Sequence, residues 1–360
     1  MRTRTLIYTL LVVVMAACSE ERMPENEALF PIRLSVVSSE GMSSRANLYG
    51  GTSSIVAEGE FALDAYLMDG NDTPYLKNTW IYYFGDWRFR DKTYQGKLLD
   101  YYWPNDHRVN FLAYMPYDLS KTFVNRDDIK FTNAGGFSFN CTLPGTTGYD
   151  RVVNDRTETE RAAENNIHEF VYALRKDCQK GETDKDPVKL HFVHPFAAIK
   201  FRLSQSHRDL TIHSITLTGV SNAATYTHAE DTYDKYLDGQ STLTYSAWQA
   251  TATGTFTVKY EKKVPQDINY YSLIGGPYLV IPQTLADVTL SVNYSWDTTI
   301  KGNTTEVKIA TAEISAWNPG MIYTYTLDLG DNKEEILFKA TVEPWTKGED
   351  DGYENEYEVN

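Results

Sequence analysis

Short runs that alternate apolar and polar side chains, broken by Gly, Pro, Asn and Asp, constrain the fold of this chain more than any other feature. In Phe30-Pro31-Ile32-Arg33-Leu34-Ser35-Val36, the side chains of Ile32, Leu34 and Val36 fall on one face of an extended segment. Similar runs follow at Phe61 to Leu67, Trp80 to Phe84, Val109 to Pro116 and Phe137 to Leu143, with the turn-rich Asp69-Gly70-Asn71-Asp72 between the first two. The second half offers Val188 to Leu203, Leu210 to Val220, Thr253 to Tyr260, Tyr270 to Ile274 and Tyr278 to Ile281. Val288 to Trp296, Val307 to Ile309, Met321 to Leu329 and Ile336 to Val342 complete the set. The 26 Tyr and 7 Trp, with many Thr and Val, favour the same state. The chain is therefore expected to be all-β. One stretch stays open: Ile167, Phe170, Val171, Leu174 and Cys178 fall at helix-like intervals, yet Phe170 to Leu174 reads equally well as a strand.

The N-terminus is a separate piece. Arg2 and Arg4 precede an apolar run from Leu6 to Ala17, which is shorter than the ~20 residues a membrane-spanning helix needs. The run ends in Met15-Ala16-Ala17-Cys18, similar to a bacterial lipobox, so Cys18 is the expected lipidation site and first mature residue. An acyl chain contributes ~0.8 kcal/mol per buried methylene, and several chains anchor stably. The following Ser19-Glu20-Glu21 is similar to the acidic export signal of surface lipoproteins in Bacteroidota. The expected location is the cell surface, on an outer membrane.

The net charge is -15, and loss of Arg2 and Arg4 with the signal takes it to -17. Such a surface argues against nucleic acid and anionic headgroups as partners. Apart from Cys18 the thiols are Cys141 and Cys178; an extracytoplasmic setting permits a disulfide between them, and two free thiols are the alternative. Residues 18–29 read as a tether, and the stretch from Ser38 to Ser54 as a Ser- and Gly-rich loop that exposes Arg45-Ala46 to a trypsin-like protease. The charged run from Lys176 to Pro187 reads as an interdomain linker. The divisions are 1–17 signal peptide, 18–29 lipidated tether, 30–187 first β-sandwich, 188–346 second β-sandwich and 347–360 acidic tail.

Candidate chemistry is sparse. His191 and His194, three apart on a strand, point to opposite faces and do not chelate one metal. Asp64, Asp69 and Asp72 surround a turn, where Asp serves the backbone. No nucleophile elbow, zinc signature or phosphate-cradling loop is present, so no enzyme, cofactor or metal site is expected. The aromatic groups Trp80 to Trp87 and Tyr101 to Trp103 read either as core and cross-strand packing or as platforms for sugars.

Four segments carry a resemblance. They are Trp103-Pro104 ahead of Val109-Asn110-Phe111-Leu112-Ala113-Tyr114-Met115-Pro116, Leu190-His191-Phe192-Val193-His194-Pro195-Phe196-Ala197-Ala198-Ile199-Lys200-Phe201, Trp317-Asn318-Pro319-Gly320-Met321-Ile322-Tyr323-Thr324-Tyr325-Thr326-Leu327 and Ala340-Thr341-Val342-Glu343-Pro344-Trp345. In this order, with the lipobox, the chain resembles the fimbrillin family of Bacteroidales, subunits of type V pili. The resemblance implies two transthyretin-like β-sandwich domains in tandem. It also implies a surface lipoprotein cut by a trypsin-like protease, here at Arg45-Ala46, which releases the strand bearing Ile32, Leu34 and Val36. The vacated groove would then take a strand from another subunit, and such head-to-tail contacts build a filament.

The tail Tyr353-Glu354-Asn355-Glu356-Tyr357-Glu358-Val359 alternates, with Tyr353, Tyr357 and Val359 on one face, and is either a donor strand or a solvated terminus. Without a donor strand the subunit would sit at the tip or anchor rather than in the shaft. The expected partners are other fimbrial subunits, the outer membrane through the lipid and the processing protease. The alternative function is a monomeric surface lipoprotein that binds glycans through exposed aromatics.

Overall fold

The computed structural model describes residues 30–36, 59–71, 73–91, 97–143, 169–181, 186–203, 210–228, 244–263, 272–296, 303–329 and 336–344. The first half contributes β1 (Leu34–Val36), β2 (Glu60–Leu67), β3 (Pro74–Tyr83), β4 (Trp87–Arg90), β5 (Leu98–Leu99), β6 (Val109–Met115), β7 (Ile129–Phe131), β8 (Phe137–Thr142), β9 (Val171–Cys178) and β10 (Val188–Leu190). The second half contributes β11 (Ala197–Leu203), β12 (Leu210–Thr227), β13 (Trp248–Lys263), β14 (Ser272–Val280), β15 (Gln283–Thr284), β16 (Thr289–Trp296), β17 (Asn303–Lys308), β18 (Ala316–Trp317), β19 (Met321–Leu329) and β20 (Ile336–Pro344). Among the described residues the only helical pieces are three short 3-10 turns, so the all-β expectation holds.

The first sheet runs β10-β1-β4-β3-β2-β6-β9, with β5 also on β4. Its two ends approach each other. The Val193 amide, just past β10, donates to the Tyr172 carbonyl on β9 at 2.8 Å, and the Tyr172 amide returns the bond at 3.3 Å. The sheet is thus rolled around a core that includes Ile32, Leu34, Phe61, Ile81, Trp87, Phe89, Phe111, Val171 and Phe192. A sheet rolled in this way hides its edges.

A second core lies outside that roll. Tyr114, Phe137, Phe139, Phe170, Tyr172, Phe196, Tyr226 and Trp248 gather there, with ring centroids of Phe137 and Tyr172 4.6 Å apart and of Phe139 and Tyr226 5.0 Å apart. It sits where the halves meet, because the β7–β8 hairpin pairs not with the first sheet but with the far end of β12, from Ala223 to Thr227. The third core fills a sandwich between the sheet β14-β11-β19-β20 and the sheet β17-β16-β12-β8-β7, which also carries β13. Strand β12 is 18 residues long and serves both neighbourhoods. Gly219 sits in its bend at φ +80, where a Cβ would collide with the Asp287 carbonyl oxygen. Residues 188–190 belong to the first sheet and 137–142 to the sheet of β12, so sheet membership does not change at residue 187.

Three local expectations are corrected. The helix option near residue 170 gives way to β9 over residues 171–178, and that strand is buried on both faces. Residues 270–274 and 278–281 do not form two strands: Ser272 to Val280 is one, and bulges in its ladder with β11 absorb Gly276 and Pro277. Asp64 does not lie at a turn; it is fully buried within β2.

Candidate functional site: the slot of the first strand

Strand β1 lies within the first sheet, not at its edge. On one side Leu34, Ser35 and Val36 pair in parallel with Val188, Lys189 and Leu190 of β10, and the Val188 amide donates to the Arg33 carbonyl at 2.8 Å. On the other side Leu34 pairs with Trp87 of β4. Just before it, the Ile32 amide donates to the Tyr101 carbonyl at 2.7 Å, and the Trp103 amide donates to the Phe30 carbonyl at 2.8 Å. The alternation read from the sequence is what the slot demands. Ile32 and Leu34 are buried in the first core, with Val36 partly buried against it, while Arg33 and Ser35 face away from it. Burying each of the two aliphatic side chains contributes about 1.5–3 kcal/mol. Without this strand, β10 and the segments at Trp87 and Tyr101 to Trp103 would lose backbone partners together, and the core would lose one wall.

Of the residues singled out from the sequence, Ile32, Leu34 and Val36 are brought together here. Cys18, Arg45, Ala46, Tyr353, Tyr357 and Val359 lie outside the described residues. The aromatic groups divide. Trp87 and Trp103 are core residues, whereas Trp80 and Tyr82 lie partly exposed on the outer face of β3 and Phe84 is 81% exposed at the hairpin tip. Cys141 and Cys178 are both free thiols. Burial pushes the Cys141 thiol up to about 12, weakly opposed by a backbone hydrogen bond from Ala224. Among the described residues, no group of three or more His, Cys, Asp or Glu side chains is placed to hold a metal ion.

Two buried polar arrangements support the roll, and neither was foreseen. Asp64 accepts from the Asn78 amide at 2.5 Å and from Lys77 Nζ at 2.6 Å, which fixes the bulge where Asn78 takes φ 48. Asn78 and the Tyr114 hydroxyl in turn accept from the Arg126 guanidinium, which also reaches the Tyr117 carbonyl at 2.7 Å. At the junction, Glu169 and His194 are 0% and 2% exposed and bond through Oε2 and Nδ1 at 2.7 Å, while Glu169 Oε1 has no hydrogen-bond partner. Burial raises the Glu169 carboxyl above its ordinary range, and the nearby His194 opposes that shift. His194 therefore binds a carboxylate rather than pairing with His191. The latter is held below its ordinary value by burial and then by Arg175 and Lys189.

A family model described as fimbrillin-like matches residues 61–345. That span is most of the chain, and the protein belongs to the fimbrillin-like family. No curated protein sequence matches it. Among solved structures, a Bacteroides uniformis protein assigned to cell adhesion is 15% identical, covering 88% of this chain and 99% of its own, with TM-score 0.49. The tip fimbrial protein Mfa3 of Porphyromonas gingivalis, truncated at its C-terminus, is 11% identical, covering 88% and 98%, with TM-score 0.40. A fimbrial assembly protein of Parabacteroides distasonis is 10% identical, covering 88% and 100%, with TM-score 0.36.

Proposed function

We propose that this protein is a subunit or accessory of a cell-surface fimbria that supports adhesion, and that it joins its neighbours by strand exchange at the β1 slot. Membership of the fimbrillin-like family supports the fimbrial part. The observation that carries the exchange is the position of β1 between β10 and β4, with Ile32 and Leu34 in the core.

The steps follow from the chemistry. Lipid on Cys18 holds the chain at the outer membrane. A trypsin-like protease cuts between Arg45 and Ala46, after which β1 is attached only through its pairing and the burial of a few side chains. Its departure opens the slot, and a strand from a neighbouring subunit restores both the ladder and the core. Repetition from head to tail yields a filament rather than a closed ring. The tail with Tyr353, Tyr357 and Val359 is this chain's own donor if it enters a neighbour's slot; a tip or anchor subunit needs no such strand.

Limited tryptic digestion of the folded full chain, followed by mass spectrometry and sizing, tests this reading. A single early cut after Arg45, loss of residues 30–36 from the folded body and growth of larger species are expected. Resistance at Arg45, or a cut that leaves the strand in place and the protein monomeric, would refute exchange at this site.

A further inference from the structure

The outer face of the first sheet is covered on one side only. Along one cross-strand row, Tyr172, Tyr114 and Ala62 lie in the junction core. The same row continues over β3, β4 and β5 through Trp80, Arg90 and Leu98, and there it reaches solvent, with Leu98 54% exposed. Tyr82 stands two residues along β3 on the same face.

These side chains hold one another in place. The Arg90 guanidinium lies 5.2 Å from the centroid of the Trp80 ring and 4.8 Å from that of Tyr82. The two rings meet edge to face at 6.1 Å and 75°, and Trp80 Nε1 donates to Glu60 Oε2 at 2.9 Å. A binding surface built in this way loses little rotamer freedom when a ligand arrives.

We infer that this face is a saccharide site, specific for sugars that carry a carboxylate, of the uronic or sialic acid class. Arg90 takes the carboxylate, because a guanidinium stacked on rings keeps a planar fork of N–H donors suited to two carboxylate oxygens. Trp80 and Tyr82 take the C–H face of the sugar, whose partly positive hydrogens are drawn to the negative face of an aromatic ring. In a chain of net charge -15, an arginine set on two aromatic rings selects an anion against the general field of the protein. The dimensions favour a sugar over a protein. From the Trp80 row to the Leu98 row is two strand spacings, about 10 Å, which matches one or two sugar rings. A standard protein interface covers about 800 Å² on each partner. The site does not require strand exchange, so it stands or falls apart from the assembly reading.

Titration of the full chain by tryptophan fluorescence tests it, with sialyllactose against lactose and oligogalacturonate against its carboxyl-reduced form. The acidic saccharides are expected to bind saturably, and the neutral ones to bind about tenfold more weakly or not at all. Arg90→Gln, whose thermal unfolding should match the parent, is expected to lose about tenfold in affinity, the loss of one charge-assisted contact. Arg90→Lys keeps the charge without the fork and is expected to fall between the two. Equal binding of acidic and neutral forms, unchanged affinity in folded Arg90→Gln, or no binding at all would overturn the proposal. Loss of self-association in Arg90→Gln without any saccharide binding would make the face a subunit contact and overturn it equally.

Discussion

Leu34 stands opposite Trp87 across the ladder between β1 and β4, and both side chains enter the same core. The relation ties a three-residue strand to the centre of the first sheet. Leu34→Ala removes most of a buried aliphatic side chain and is expected to cost about 2–5 kcal/mol. Arg33→Ala, on the face turned from that core, should change stability by no more than about 0.5 kcal/mol. Urea unfolding of the two variants measures the difference.

Asp64 is buried with one oxygen on the Asn78 amide and the other on Lys77. Asp64→Ala leaves that amide without its acceptor and the left-handed turn at Asn78 without its brace. A loss of about 2–4 kcal/mol is expected, from an unpaired buried donor and the broken ion pair. Lys77→Ala should cost less, since Lys77 is 51% exposed and water takes its place.

The junction pair gives a pH dependence. Burial raises the Glu169 carboxyl in the folded state, so between its unfolded and folded values the native protein binds more protons than the unfolded chain. The associated stability is complete below the unfolded value of about 4.3 and is lost as pH rises through the folded one. Glu169→Gln keeps the neutral shape without the titration. Its stability relative to the parent should therefore rise with pH across that window, as read by chemical denaturation at stepped pH. A constant difference would count against a raised carboxyl.

Gly219 bends β12 with φ +80 against the Asp287 carbonyl. Gly219→Ala must shift the backbone and is expected to cost more than the ~1 kcal/mol of left-handed strain alone. Thermal unfolding reports it.

Cys141 is 3% exposed and its thiol is pushed up to about 12. Under native conditions it should resist iodoacetamide and react only as the protein unfolds, while Cys178, partly exposed, is modified first. Peptide mapping after timed alkylation separates the two.

Where one face of a strand meets a core and the other meets solvent, the sequence pattern was legible. Ile32, Leu34 and Val36 fall where their alternation puts them, and the last strand pair of the second half begins at Met321 as expected. Strands buried on both faces were harder. In β9, Val171 and Ala173 enter the first core while Phe170, Tyr172 and Leu174 near and along it enter the junction core, so apolar residues run together and mimic helical spacing. Long-range pairing left no local trace. Nothing near Phe137 tells it to join β12, and nothing near Val188 tells it to run parallel to Leu34. The Glu169–His194 bond was hidden for the same reason, since its partners are 25 residues apart and meet only through the fold.

Amide hydrogen exchange before and after cleavage and removal of residues 30–36 tests the central claim most directly. Exchange should rise at Val188 to Leu190, at Trp87 and at Tyr101 to Trp103, and protection should return when a peptide of sequence Phe30 to Val36 is added or when subunits assemble. Unchanged protection at those amides, or protection that the peptide does not restore, would contradict a slot that one strand vacates and another fills.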